Sequence, residues 1–276
     1  MAVFVSGGGP VRPVAMDLNP ISHMLVDSSR AYWLNERNGV GFQIMSAALR
    51  DGTPNAIWNT GTAVSHLVQD EQFLYWLTAD PDSPAALKRA RKDGTGMVTA
   101  VYELSAKSHA LALQGTTLYW GGSDTGVWSG DTDGSQSMFV EQSRYLTGLV
   151  SLFANDTMVG WHKHWNDETK LWWWLPKERF MAGGGFSDYS MKYTYGGSIA
   201  LDGVEVYFLQ CGPEDCSLTT IDVESGDLAR VIWRTNKLDR TSLIAVRGSY
   251  IFLTTGTVHP GKEQVMRIRN QTIAKP

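Results

Sequence analysis

The chain is short of cysteine, of long apolar runs and of any excess of one charge sign. Its 2 Cys in 276 residues are too few for a structural zinc site, which needs about four ligands. No apolar run approaches the roughly 18 residues that a bilayer crossing requires. Met1-Ala2-Val3-Phe4-Val5 lacks the basic and apolar regions of a secretory signal, so a cytoplasmic location is the expectation. The 24 Lys and Arg against 28 Asp and Glu give a net charge of −4. Nothing there suggests a nucleic-acid surface or a disordered acidic tail. Helical apolar stripes are missing too, since no stretch sustains an i, i+3, i+4 pattern over three turns. Gly7-Gly8-Gly9 and Gly183-Gly184-Gly185 match neither nucleotide fingerprint, and no Ser-His-Asp triad can be argued.

What is abundant is aromatic side chain: 11 Trp, 10 Tyr and 9 Phe within 43% hydrophobic residues, enough for a large core and a contact surface besides. These residues recur in register. Ser22-His23-Met24-Leu25-Val26-Asp27 is echoed by Ser65-His66-Leu67-Val68-Gln69-Asp70 and by Ser108-His109-Ala110-Leu111, each 43 residues on. Further copies start at Ser151, Ser198 and Ser242. About ten residues into each copy stands an aromatic pair or its relic: Tyr32-Trp33, Tyr75-Trp76, Tyr119-Trp120, Gly160-Trp161, Tyr207-Phe208 and Ile251-Phe252. Asp-Gly turns follow at Asp51-Gly52, Asp93-Gly94 and Asp133-Gly134. The first copy reads as four short strands, over 22–27, 31–35, 43–49 and 55–59.

Four strands in about 43 residues make one blade of a propeller. The prediction is an all-β, six-bladed β-propeller with four antiparallel strands per blade, forming a single domain over 1–276. The last copy is about one strand short, and a ring must hide its final edge. Residues 1–20 are therefore expected to supply a closing strand, with Ala2–Ser6 as the candidate. The Tyr-Trp pair after a short apolar-x-Asp strand resembles the YWTD propellers of the lipoprotein-receptor type and bacterial six-bladed relatives. The resemblance covers roughly 20–276 and implies the fold. The Thr-Asp that completes the motif is replaced by Leu34-Asn35, Leu77-Thr78 and Gly121-Gly122, so no ligand or binding residue of the receptors carries over.

Propeller geometry puts His23, His66, His109, His162, His164 and His259 on one face and the Asp-Gly turns on the other. Two readings stand for His23, His66 and His109. They share a divalent metal at the channel mouth, or they hydrogen-bond within their blades; Ser and His alternate, so only one of the two can face the channel. Blade four breaks the repeat: it has no Asp-Gly turn and the longest spacing, and it holds the run Trp172-Trp173-Trp174. Met181–Tyr195 reads as a mobile loop over the rim. Core packing and ligand contact both remain open for these rings. As contacts, Trp165, Trp172, Trp174, Phe186 and Tyr189 would anchor a ligand and His162 and His164 would add polar groups. Cys211 and Cys216 frame a hairpin loop and are expected as free thiols, a disulfide requiring an oxidising compartment.

The function expected is non-catalytic binding of a peptide or protein segment across the rim face, with no cofactor, nucleic acid or membrane involved. The alternative is a metal-dependent lyase or hydrolase at a His-lined mouth. A far-ultraviolet circular dichroism spectrum should show strand structure without the helical minima, and strong helical minima would refute the repeat assignment.

Overall fold

The computed structural model describes residues 12–18, 21–37, 41–50, 53–78, 85–104, 108–122, 126–141, 149–156, 159–165, 168–174, 187–192, 199–211, 215–222, 230–235, 243–247, 250–254 and 263–269. All regular structure in them is strand. A first strand, β1 (Arg12–Leu18), precedes five sheets, each built from four consecutive strands, and the last three strands. Sheet one holds β2 (Ile21–Val26), β3 (Arg30–Arg37), β4 (Gly41–Ala48) and β5 (Asn55–Asn59). Sheet two holds β6 (Val64–Gln69), β7 (Phe73–Thr78), β8 (Ala86–Arg91) and β9 (Thr99–Glu103). Sheet three holds β10 (Ala110–Gln114), β11 (Thr117–Gly122), β12 (Gly126–Asp131) and β13 (Ser137–Glu141). Sheet four holds β14 (Leu149–Ala154), β15 (Val159–Trp165), β16 (Glu168–Trp174) and β17 (Ser187–Lys192). Sheet five holds β18 (Ile199–Asp202), β19 (Glu205–Cys211), β20 (Cys216–Asp222) and β21 (Arg230–Thr235). The sixth is β22 (Ile244–Arg247), β23 (Tyr250–Thr254) and β24 (Glu263–Arg269), with β1 laid antiparallel on β24.

That last pairing corrects the expected closing strand. It is Arg12–Leu18 that joins the sixth sheet, with Arg12 opposite Arg267 and Ala15 opposite Val265. Val14, Met16 and Leu18 give this piece the alternation of a strand. Ala2–Gly8 lies outside the described residues.

The chain divides into two compact units. In the unit spanning 39–42 and 57–194, the first strands β6, β10 and β14 of sheets two to four lie side by side. In the other, β18, β22 and β2 do the same for sheets five, six and one. Within each unit, neighbouring sheets pack face to face. Tyr75, Leu77 and Leu87 meet Leu111, Leu118 and Trp120 between sheets two and three, and Ala110, Ala112 and Val127 meet Leu152, Val159 and Trp161 between three and four. Sheets six and one enclose Phe252 and Val265 with Met24, Val26 and Trp33. A sheet covered on both sides has no solvent face, so its second strand reads as one apolar run. Adjacent residues of a strand face opposite ways, and so both members of Tyr32-Trp33 and of Tyr75-Trp76 are buried.

The tyrosine of the pair also has a polar task. Asp70 Oδ1 accepts the Gln72 and Phe73 N–H groups at 2.7 and 2.6 Å, which closes the β6–β7 turn, while Oδ2 accepts the Tyr75 hydroxyl at 2.7 Å. Asp27 repeats this in sheet one, accepting from the Ser29 and Arg30 N–H groups and from the Tyr32 hydroxyl at 3.0 Å. Burial, followed by the hydrogen bond to the Asp70 carboxylate, holds the Tyr75 phenol protonated far above its ordinary range. The aspartate so turns the chain and satisfies a hydroxyl that would otherwise be stranded in the core.

Outer strands latch onto the next sheet. Trp58 Nε1 of β5 donates to the Arg91 carbonyl at 2.8 Å. Tyr102 of β9 places its hydroxyl as a shared donor between the carbonyls of Asp131, at 2.9 Å, and Gln136. Arg89 Nη1 donates to the Thr132 carbonyl at 2.6 Å. Beneath this latch Gly134 has φ +84°, and a Cβ there would stand 2.9 Å from the Val101 carbonyl, which is why the Asp133-Gly134 turn needs glycine. Asp51-Gly52 lies outside the described residues.

Cys211 and Cys216 are directly opposed across β19 and β20 and form a disulfide, not free thiols. The C-x4-C spacing brings them to the same rung of the ladder, which spacing alone does not guarantee.

Asp70→Ala removes three hydrogen bonds and strands the Tyr75 hydroxyl, so it should cost about 2–4 kcal/mol in urea unfolding. Asp70→Asn, which keeps an acceptor for the turn, should cost less than half of that.

Candidate functional site

Each sheet is an antiparallel meander, so the start of its first strand and its second hairpin loop share one rim. The first and third loops lie on the other. The first rim carries the repeated Ser-His pairs. Ser65 and His66 lie in β6 and Ser22 and His23 in β2, while Ser108 and His109 precede β10, where the His109 N–H donates to the Gly121 carbonyl at 2.9 Å.

In the unit built from sheets two to four, two imidazoles are neighbours. His66 Nδ1 stands 3.0 Å from the Ser65 carbonyl, and the ring also bonds the backbone of His109. His66 thus bonds within its own sheet, one of the two roles expected for it, and also ties one inner strand to the next. Burial, with a smaller push from the nearby His109, pulls its pKa down to about 4 against the opposing effect of the backbone bonds. His23 belongs to the other unit, with Nδ1 3.3 Å from Ser22 Oγ. Among the described residues, no three His, Cys, Asp or Glu are grouped so as to hold a metal ion. His259 lies outside the described residues.

Around these imidazoles the rim holds polar atoms that nothing in the described chain satisfies. Thr62 Oγ1, Ser65 Oγ and Ser151 Oγ are buried without a hydrogen-bond partner. Thr62 and Ser65 lie at the approach to and the start of β6, and Ser151 lies within β14. Buried hydroxyls are rarely left so unless water or a ligand completes them. The repeat of Ser in every copy was visible in the sequence; that some of these hydroxyls are enclosed and unpaired was not.

Sheet four departs from its expected layout. His162, His164 and Trp165 lie within strand β15 and not in a loop after it. Their ladder partners on β16 are Leu171, Thr169 and Glu168. Trp172 stands opposite Trp161 and Trp174 opposite Val159, both of those partners being fully buried. Tyr189 was expected in a loop over the rim. It lies on β17 opposite Leu171, because Ser187–Lys192 pairs with β16 as the outer strand of the sheet. Phe186 and the preceding 181–185 lie outside the described residues.

In the unit that holds sheets five, six and one, a pocket of about 510 Å³ lies between sheets six and one, at the end where the first hairpin turns. It is lined by the Asp27–Ser29 turn, Ala48, Leu49 and Arg50 on one side and by Arg247, Tyr250, Phe252 and Arg267 on the other. Four separate segments compose it, so nothing local in the sequence marks it.

No protein-family description matches the chain, and no curated protein matches it. Solved structures do. The PQQ-bound aldose sugar dehydrogenase of Streptomyces coelicolor superposes with a TM-score of 0.61 at 13% identity, over 97% of this chain and 99% of that one. The β-propeller domain of the trilobed protease of Pyrococcus furiosus gives 0.58 at 11% identity, over 94% and 100%. TolB of Acinetobacter baumannii gives 0.58 at 10% identity, over 88% of this chain and 66% of that one, just under two thirds of its length. The chain has a β-propeller fold. At these identities the likeness extends to the fold and no further, since one propeller scaffold carries dehydrogenase, protease and TolB alike.

His66 makes stability depend on pH. Its folded pKa of about 4 lies below the ordinary 6.5, so the folded state binds fewer protons between those values and stability falls as pH drops from 6.5 toward 4. Relative to the wild type, His66→Gln should lose a slope worth about 1–3 kcal/mol across that window in urea titrations at several pH values.

Proposed function

We propose that the six sheets are the six blades of one closed, Tyr-Trp-type propeller and that this propeller is a non-catalytic binding module. It holds a peptide or protein segment across the rim where the inner strands begin. The observation that carries this reading is the set of enclosed, unpaired hydroxyls on Thr62, Ser65 and Ser151 beside His66 and His109. An extended peptide brings backbone N–H and C=O groups at regular spacing, which suits such a row of donors and acceptors. Sheet four supports it from the side. Its His162, His164 and Trp165 occupy the rim end of β15, one hairpin away from those hydroxyls, and Trp172, Trp174, Phe186 and Tyr189 complete the aromatic set proposed as anchors. The Cys211–Cys216 bond favours an oxidising compartment over the cytoplasm as the place where this binding happens.

Panning a random displayed peptide library on the immobilised protein should enrich sequences that bind in solution. Trp165→Ala and Ser65→Ala should each weaken those peptides by about 1–2 kcal/mol in calorimetry, with melting temperatures near that of the wild type. An absence of enrichment, or peptides that bind both variants as tightly as the wild type, would overturn the reading.

A further inference from the structure

The repeat itself shows that the pocket between sheets six and one is an interruption. Between sheets two and three the corresponding space is filled. There Arg89 crosses to the Thr132 carbonyl and Tyr102 to the Asp131 carbonyl. The ladders define the equivalent positions. Arg267 faces Phe252 as Arg89 faces Tyr75, and Ala15 faces Val265 as Tyr102 faces Leu87. Leu49 donates its N–H to the turn of its own sheet as Thr132 does, so Ala48 and Leu49 stand where Asp131 and Thr132 stand. The sixth sheet therefore has alanine at the latch tyrosine's position. Its arginine makes no such crossing bond among the described residues; Arg267 lies instead over the Tyr250 ring, 4.8 Å from the centroid.

What the missing latch leaves is a cationic hollow with an aromatic floor. Arg50, Arg247 and Arg267 line it, with Phe252 buried at its base and Tyr250 exposed at its wall. None of the three guanidiniums forms an ion pair among the described residues, although Arg247 interacts at longer range with Asp202. The one carboxylate lining the pocket, Asp27, is already engaged by the Ser29 and Arg30 N–H groups and the Ser29 and Tyr32 hydroxyls. Three guanidiniums around one space, without an ion pair among the described residues, repel each other, and an anion relieves that. Phosphate oxygens match the planar fork of arginine in bidentate geometry. The volume lies within the range of small-molecule sites and exceeds what inorganic phosphate needs.

We propose that this pocket binds an organic phosphate, with the phosphate held by Arg50, Arg247 and Arg267 and the organic part against Tyr250 and Phe252. The site shares no residue with the proposed peptide rim, and within sheets six and one it lies at the end of the strands where the first hairpin turns.

Titration calorimetry with phenyl phosphate at pH 8 and low salt tests it, with inorganic phosphate and phthalate as parallel arms. Phenyl phosphate should bind one per chain with a Kd of about 1 mM or tighter. Inorganic phosphate should bind more weakly, and phthalate more weakly still. Arg50→Ala and Arg247→Ala, both at exposed positions, should each weaken phenyl phosphate by about tenfold. Tyr250→Ala should weaken phenyl phosphate while leaving inorganic phosphate unchanged. Circular dichroism melts of the same samples verify folding, and if one variant fails to fold the others still decide. Peptide binding should be unaffected by all three, which separates this site from the rim. Absence of saturable phenyl phosphate binding, equal binding by Arg50→Ala and Arg247→Ala, or phthalate binding as tightly as phenyl phosphate would overturn the proposal.

Discussion

Sheets that pack face to face must bury their apolar faces together, and most of the described structure follows from that requirement. A four-stranded sheet packed on one side only would leave an apolar face in water, so each sheet is stable only between neighbours. Burying both faces removes the alternation of polar and apolar residues that marks a half-exposed strand. It explains the consecutive buried residues of β7, where Leu74 to Thr78 are all enclosed. It also explains how two aromatic residues in succession can both be buried, as Tyr119 on the side of sheet four and Trp120 on the side of sheet two are.

Burial on that scale brings polar atoms inside, and the structure handles them in two ways. Some are satisfied within the repeat, as Asp27 and Asp70 satisfy Tyr32 and Tyr75 while closing their turns. Others are satisfied between sheets, through Trp58, Tyr102, Arg89 and His66. The bonds between sheets supply direction that apolar packing lacks, since dispersion and the hydrophobic effect fix little about the angle at which one sheet meets the next. Functional candidates then stand out as places where neither device operates. Among the described residues, the enclosed hydroxyls of Ser65 and Ser151 have no partner, and the arginines between sheets six and one have no latch.

Both candidate regions are departures from a repeat. Where inner strands begin, a regularly repeated Ser has no partner among the described residues. Between sheets six and one, a regularly placed Arg makes no crossing bond among them. The fold supplies rigid, evenly spaced positions, and the differences between copies supply the chemistry.

The repeat starts, the strand spans of the first sheet and the near absence of helix could all be read from the amino-acid order, because strand periodicity, turn residues and copy length are local properties. The partial unit at the C-terminus predicts an N-terminal strand, and it is pairing with β24 that puts Arg12–Leu18 on the sixth sheet. The Asp-to-Tyr device was also present as a spacing, Asp27 to Tyr32 and Asp70 to Tyr75, though its meaning required seeing the hydroxyl turned back to the carboxylate. Tertiary structure alone decided the rest. It set the directly opposed Cys211 and Cys216, the strand position of Tyr189 and the meeting of His66 with His109. It also brought Arg50, Arg247 and Arg267 around one space, from segments up to 217 residues apart in the chain. Local order specifies which residues repeat; how neighbouring sheets close on one another specifies which of those repeats is left unfilled.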